Sequence, residues 1–192
     1  MPAIGDDDDV GEVELVAHAE VNKSAWSMTL EEMQAMAEGR EDDGWRTVSI
    51  GAGHTAPESP RMGDDDRYGL TYVIPGNLAP PFREAYERGD FPLYDVFRGE
   101  TETRTFLVTE LLDHDSKTAI YLAGNFRHHD ALELAETVVE TGTMYTHVTK
   151  LDGTLLGSFE HEGYEKFFPP QVLASVVPGD EEDPAQADAT EE

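Results

Sequence analysis

The chain has 192 residues, no cysteine, 13 basic and 41 acidic side chains, and a formal charge of −28. This length fits one domain, the missing cysteines exclude disulfides and thiol nucleophiles, and the acid excess argues against direct binding to nucleic acid, whose phosphates need a basic stripe. No apolar run approaches the roughly 20 residues of a membrane-spanning helix, and the N-terminus lacks the basic-then-apolar order of a secretory signal, so a cytoplasmic location without membrane contact is expected.

In chain order, residues 1–22 read as an acidic flexible arm, residues 23–177 as a single domain and residues 178–192 as an acidic disordered tail. Thr29 and Glu32 have capping-box spacing, Leu30, Met33 and Ala37 share a face, and Gly39 is placed to end a short helix. Alternation predicts a strand at 45–50, and the Gly, Pro and Asp content predicts a loop at 51–66. A strand at 70–74 precedes a helix at about 79–88, with Pro80 and Pro81 near its start and Gly89 at its exit. Strands follow at 93–99, 104–112 and 117–123. Asp130 and Glu133 have cap spacing for a helix ended by Gly142. The last hairpin joins 143–150 to 154–161 through Asp152-Gly153. The segments 70–112 and 119–161 align as two strand–helix–strand–strand groups. The order predicts an α+β fold: a mostly antiparallel sheet with helices on one face, built from two such repeats if the alignment reflects duplication.

Residues 1–14 and 179–192 contain no Lys or Arg, the rest of the chain is still acidic, and only Lys23, Lys117, Lys150 and Lys166 are lysines. Such a surface repels itself in dilute buffer and is relieved in multimolar salt, where the Debye length falls to roughly 3 Å or less. That is the composition of a salt-adapted protein. Gly44-Trp45, Gly53-His54-Thr55-Ala56-Pro57-Glu58-Ser59, Thr143-Met144-Tyr145-Thr146-His147-Val148, Leu151-Asp152-Gly153-Thr154 and Gly157-Ser158-Phe159-Glu160-His161 give the chain a further identity. Over about residues 25–169 it resembles a family of small acidic proteins of unassigned function from salt-loving (halophilic) archaea. The resemblance implies a compartment and a salt environment, and no activity.

Arg127-His128-His129-Asp130 is the densest group of chemically useful side chains. Arg127 can hold an oxyanion through two parallel hydrogen bonds with the histidines beside it; alternatively, Asp130 caps the helix and the histidines are solvated. No third ligand completes a metal site with His128 and His129. If Asp152-Gly153 is a two-residue turn, His147 faces Ser158 and His161 faces Met144, so the two histidines lie on opposite sides of the hairpin. His147 is then a candidate ligand residue beside Tyr145. Tyr164, Phe167 and Phe168 either seal the core or form an aromatic patch that docks a partner. Gly51-Ala52-Gly53-His54 lacks the Lys and Ser/Thr of a phosphate loop, the acid runs at 6–9 and 64–66 lack a calcium-loop pattern, and no serine stands in a nucleophile elbow.

These residues predict a salt-adapted, non-enzymatic module that needs no cofactor or metal and binds a protein partner or small ligand. The rival is a small enzyme or anion sensor with a pocket near Arg127, His128, His129 and His147. Nucleic-acid mimicry by the acidic surface is a third reading.

Overall fold

The computed structural model describes residues 7–61 and 67–177, and the α+β class is the one observed. A 36-residue helix, α1 (Asp7–Asp42), leads into β1 (Arg46–Gly51) and β2 (His54–Glu58). Then come β3 (Gly69–Val73), α2 (Ala79–Arg88), β4 (Leu93–Glu100), β5 (Arg104–Asp113), β6 (Thr118–Arg127), α3 (Leu132–Thr141), β7 (Met144–Thr149), β8 (Leu155–His161) and α4 (Pro170–Val176).

The expected single sheet is two sheets of four strands, ordered β1-β6-β5-β4 and β2-β3-β7-β8. Each has one parallel pair, β1 with β6 and β3 with β7, and its other pairs are antiparallel. The helices accordingly occupy more than one face. The larger core takes Ile50, Leu107, Leu111, Ile120 and Leu122 from the first sheet and Leu70, Tyr72, Met144, Val148 and Phe159 from the second. Phe82 of α2, Leu134 and Val138 of α3 and Val172 of α4 close it. A smaller core on the other face of the first sheet joins Val108, Leu112, Ala119 and Tyr121 to Met33 and Ala37 of α1. The sheets approach closely at Gly124, where a Cβ would run into Thr55 and Tyr72.

The aligned groups do not occupy equivalent places. β3 lies parallel to β7, the first strand of its hairpin, whereas β6 lies antiparallel to β5, the second strand of the other. The chain passes from the second sheet to the first through α2 and back through α3.

Several local expectations are corrected. The first helix begins at Asp7, and Thr29 is interior to it, its hydroxyl donating back to the Ala25 carbonyl at 2.7 Å. Residues 7–22, expected as an arm, are therefore helical; Leu15, Ala17, Ala19 and the glutamates are good helix formers. Gly39 does not end the helix; the left-handed residue is Gly44, at φ 83°. β2 occupies part of the expected loop, where Pro57 is tolerated because β2 is an edge strand that need not donate at every position. The last hairpin has the expected pairs, Met144 opposite His161 and His147 opposite Ser158, but not the expected two-residue turn. The Lys150 N–H donates to the Thr154 carbonyl at 3.0 Å around a three-residue loop, 151–153, and a bulge between Val148 and Thr149 shifts the pairing by one. That extra residue turns Leu156 into the core and leaves Leu155 exposed, the reverse of strict alternation.

Candidate functional site

β6 runs four residues further than the sequence suggests, to Arg127, and in its antiparallel register with β5 this sets Arg127 directly opposite Arg104. Directly opposed side chains share a face, and like charges there repel. Burial, and next the neighbouring Arg127 charge, lower the pKa of the Arg104 guanidinium, with Asp130 acting in the other direction. One Arg104 Nη donates to Asn125 Oδ1 at 2.6 Å. Among the described residues neither arginine forms an ion pair with a carboxylate within 4 Å.

The strand pairing is carried one step further by the His128 N–H, which donates to the Thr103 carbonyl at 3.0 Å. A short 3-10 turn, His129–Ala131, then leads into α3. The N-terminal half of α1 passes over this corner. Leu15, Ala19 and Asn22 continue the stripe that, at Trp26, Leu30, Met33 and Ala37, packs α1 on the first sheet. With His18 they close a cavity of about 660 Å3 against Arg104, Arg127, His128 and His129. His18 Nε2 lies 3.4 Å from Glu102 Oε2, and His128 Nε2 is buried with no hydrogen-bond partner among the described residues.

The cavity thus collects two guanidinium groups and three imidazoles, against the single carboxylate of Glu102, in a chain of net charge −28. Guanidinium forks match the geometry of carboxylate and phosphate oxygens, and a buried ring nitrogen without a partner is a polar group that a ligand can satisfy. The arrangement is suited to holding an oxyanion.

Of the residues singled out from sequence, Arg127, His128 and His129 meet here, and His147 does not. His147 belongs to the second sheet, where Nδ1 is 2.7 Å from Ser158 Oγ and Nε2 is 2.8 Å from the Tyr68 carbonyl, beside a separate hollow lined by Arg67, Tyr68 and Tyr145. A pocket that unites all four is therefore not formed. Asp130 caps nothing: the residue before α3 is Ala131, and no side chain bonds the first turn. The aromatic docking patch is also corrected. Phe167 and Phe168 are 0% and 1% exposed and lie in the larger core, while Tyr164 packs half-buried against it. Tyr94 stacks on Phe167 with ring centroids 5.9 Å apart, which accounts for an aromatic turn at this place.

His18 and Arg104 were not expected. The signal for His18 was its i, i+4 spacing to Asn22 on a helix extended backwards from Leu30; the acid-rich flank obscured it. The signal for Arg104 was the β5–β6 register, hidden because Gly124-Asn125 reads as a strand end. Among the described residues no group of three His, Asp or Glu side chains is placed to hold a metal ion. The expected acid run at 64–66 and the tail at 178–192 lie outside the described residues. No helix among the described residues is long and apolar enough to cross a membrane.

No curated protein and no solved structure matches the chain. The sequence pattern of the Family of unknown function (DUF7529) matches residues 12–169, a span that includes both walls of the basic cavity, and the chain belongs to that family.

Proposed function

We propose that this chain is a non-catalytic module that binds a small anionic ligand between α1 and the Arg104–Arg127 corner, in the cytoplasm of a cell that accumulates salt. The opposed arginines carry this reading. A chain with nine arginines among 41 acids has set two of them face to face, where they repel unless a negative group lies between or beside them. His18 and His128 add hydrogen-bonding groups from two other directions. Salt adaptation rests on the charge of −28.

The test is thermal melting in multimolar KCl with inorganic phosphate, sulfate, nucleotides and carboxylates. A ligand specific for the folded state stabilises it by about 2.7 kcal/mol at a hundred times its Kd, which for a chain of this size is a rise of roughly 5–10 °C. The rise should grow with concentration and vanish in Arg127→Ala and Arg104→Ala. Melting curves that none of these anions moves would defeat the proposal. A second measurement addresses the salt. Dialysis from multimolar KCl into dilute buffer should cost the protein its native circular dichroism; an unchanged spectrum and melting curve would remove the salt-adaptation argument.

A further inference from the structure

The basic cavity has a second one beside it. Between α1 and the β4–β5 hairpin lies an open cleft of about 460 Å3, walled by Val21, Ala25 and Met28 and floored by Phe97, Phe106 and Val108. The two cavities lie on either side of one hydrogen bond, from Thr101 Oγ1 to Asn22 Oδ1 at 2.8 Å. Both volumes are in the range of small-molecule sites.

The cleft is an unusual stretch of this surface. Val21, Met28 and Phe97 are 55%, 58% and 44% exposed, and Phe106, although buried, joins neither core. The register explains the opening. Phe97 is opposite Val108 and Gly99 opposite Phe106, and Gly99 has no side chain to cover the Phe106 ring. A Cβ built on Gly99 meets nothing within 4 Å. The cleft is also polarised. Glu32 lines it, about 15 Å along the helix from Asn22 at 1.5 Å per residue, and the two arginines stand beyond the Asn22 end. Arg98 and Glu100 also line the cleft but pair with each other, Nε to Oε1 at 3.0 Å, so the gradient for an anion runs from Glu32 towards the two arginines.

Resting on the anion reading above, we propose that the ligand is an amphiphilic anion: one carboxylate or phosphate head on an unbranched apolar chain. The head lies against Arg104 and Arg127, and the chain follows the cleft past Val21, Met28, Phe97 and Phe106. Charge complementarity at the basic end and the apolar side chains on the other side of the Asn22–Thr101 bond select this occupant over a simple inorganic ion, which would leave the apolar surface in water.

The experiment is calorimetric titration of the full chain in KCl with inorganic phosphate, acetate, hexanoate, octanoate, decanoate and octyl phosphate. Each is kept below its critical micelle concentration, with octanol as the neutral control. Affinity should rise two- to about fourfold per added methylene, the upper value corresponding to complete burial. Gly99→Val fills the cleft where space is open and suits a strand. Circular dichroism should show it folded, and it should lose the chain-length increment while keeping the affinity for inorganic phosphate. Arg127→Ala should lose both classes of ligand. Binding of inorganic phosphate with no gain from chain length would overturn the amphiphile proposal and leave the anion site standing. Failure of every anion to bind would overturn both. Octanol binding as well as octanoate, or a chain-length gain that survives Gly99→Val, would place the chain elsewhere and overturn the proposal.

Discussion

Glu110→Ala is expected to destabilise the folded protein by about 2–3 kcal/mol, a loss of roughly 4–12 °C in Tm for a chain of this size. Glu110 sits in the middle of β5 on the face covered by α1 and is buried. It accepts hydrogen bonds from Tyr121 Oη at 2.8 Å and from Arg40 Nε at 3.2 Å. Burial first, and the neighbouring carboxylate after it, push the Tyr121 phenol well above its ordinary pKa, so it remains a donor. Truncation leaves a buried phenol and a partly covered guanidinium without their acceptor, which costs more than the net value of either bond. Arg40 retains some solvent and its stacking over Trp45, at 4.9 Å, which keeps the figure below that of a fully buried pair. Glu110→Gln preserves an acceptor for Tyr121 and should cost less than Ala, and Tyr121→Phe about 1 kcal/mol. Urea unfolding measures all three. Equal midpoints for wild type and Glu110→Ala would show that this trio does not fasten α1 to the sheet.

The second large effect is a pH dependence seated at His161. Its ring is buried between Tyr94 and Phe167, with centroids 4.2 and 5.0 Å away, and Nε2 is 2.9 Å from Thr146 Oγ1. Nδ1 has no partner among the described residues. Burial, and then the charge of His147, lower its pKa to about 4. An unfolded histidine titrates near 6.5. Between those values the unfolded chain binds a proton that the folded chain refuses, so stability falls as the pH falls from about 6.5 to about 4. The total is about 3 kcal/mol, from the 1.36 kcal/mol per pKa unit of linkage. Carboxylates titrate in the same window, and His161→Gln separates the two contributions because its other charges are unchanged. The stability difference between wild type and His161→Gln should change by about 3 kcal/mol from pH 7 to pH 4, in the direction that penalises wild type at pH 4. Parallel stability curves would refute the assignment.

Local signals transmitted most of the fold. Pro80, Pro81 and Gly89 bracket α2, Gly142 ends α3 at φ 76° with its N–H on the Val138 carbonyl, and Gly153, at φ 85°, lies in the turn of the last hairpin. These features act over a few residues, where turn and cap chemistry decides. What was hidden depends on distant partners. β2 is a strand because Leu70, Thr71 and Tyr72 lie alongside it, and a window containing Pro57 cannot show that. The assignment of strands to two sheets rests on the β1–β6 and β3–β7 pairings, which local alternation does not encode. The site divided in the same way. Arg127, His128 and His129 are adjacent in sequence and were legible, whereas Arg104 and His18 reach them through a strand register and a helix whose acid-rich start resembles a tail.

The crossing of the chain between its sheets bears on how the molecule can come apart. A cut in the turn between β5 and β6 would give one piece lacking the strand between β1 and β5, and another lacking the strand beside β7. Neither half holds a finished sheet, so neither is a folding unit in its own right. The parallel pairs must close loops from residue 46 to 118 and from 70 to 146 before either sheet is whole. Assembly is therefore a late, concerted event for the whole domain, with a slower search than the short hairpins alone would require.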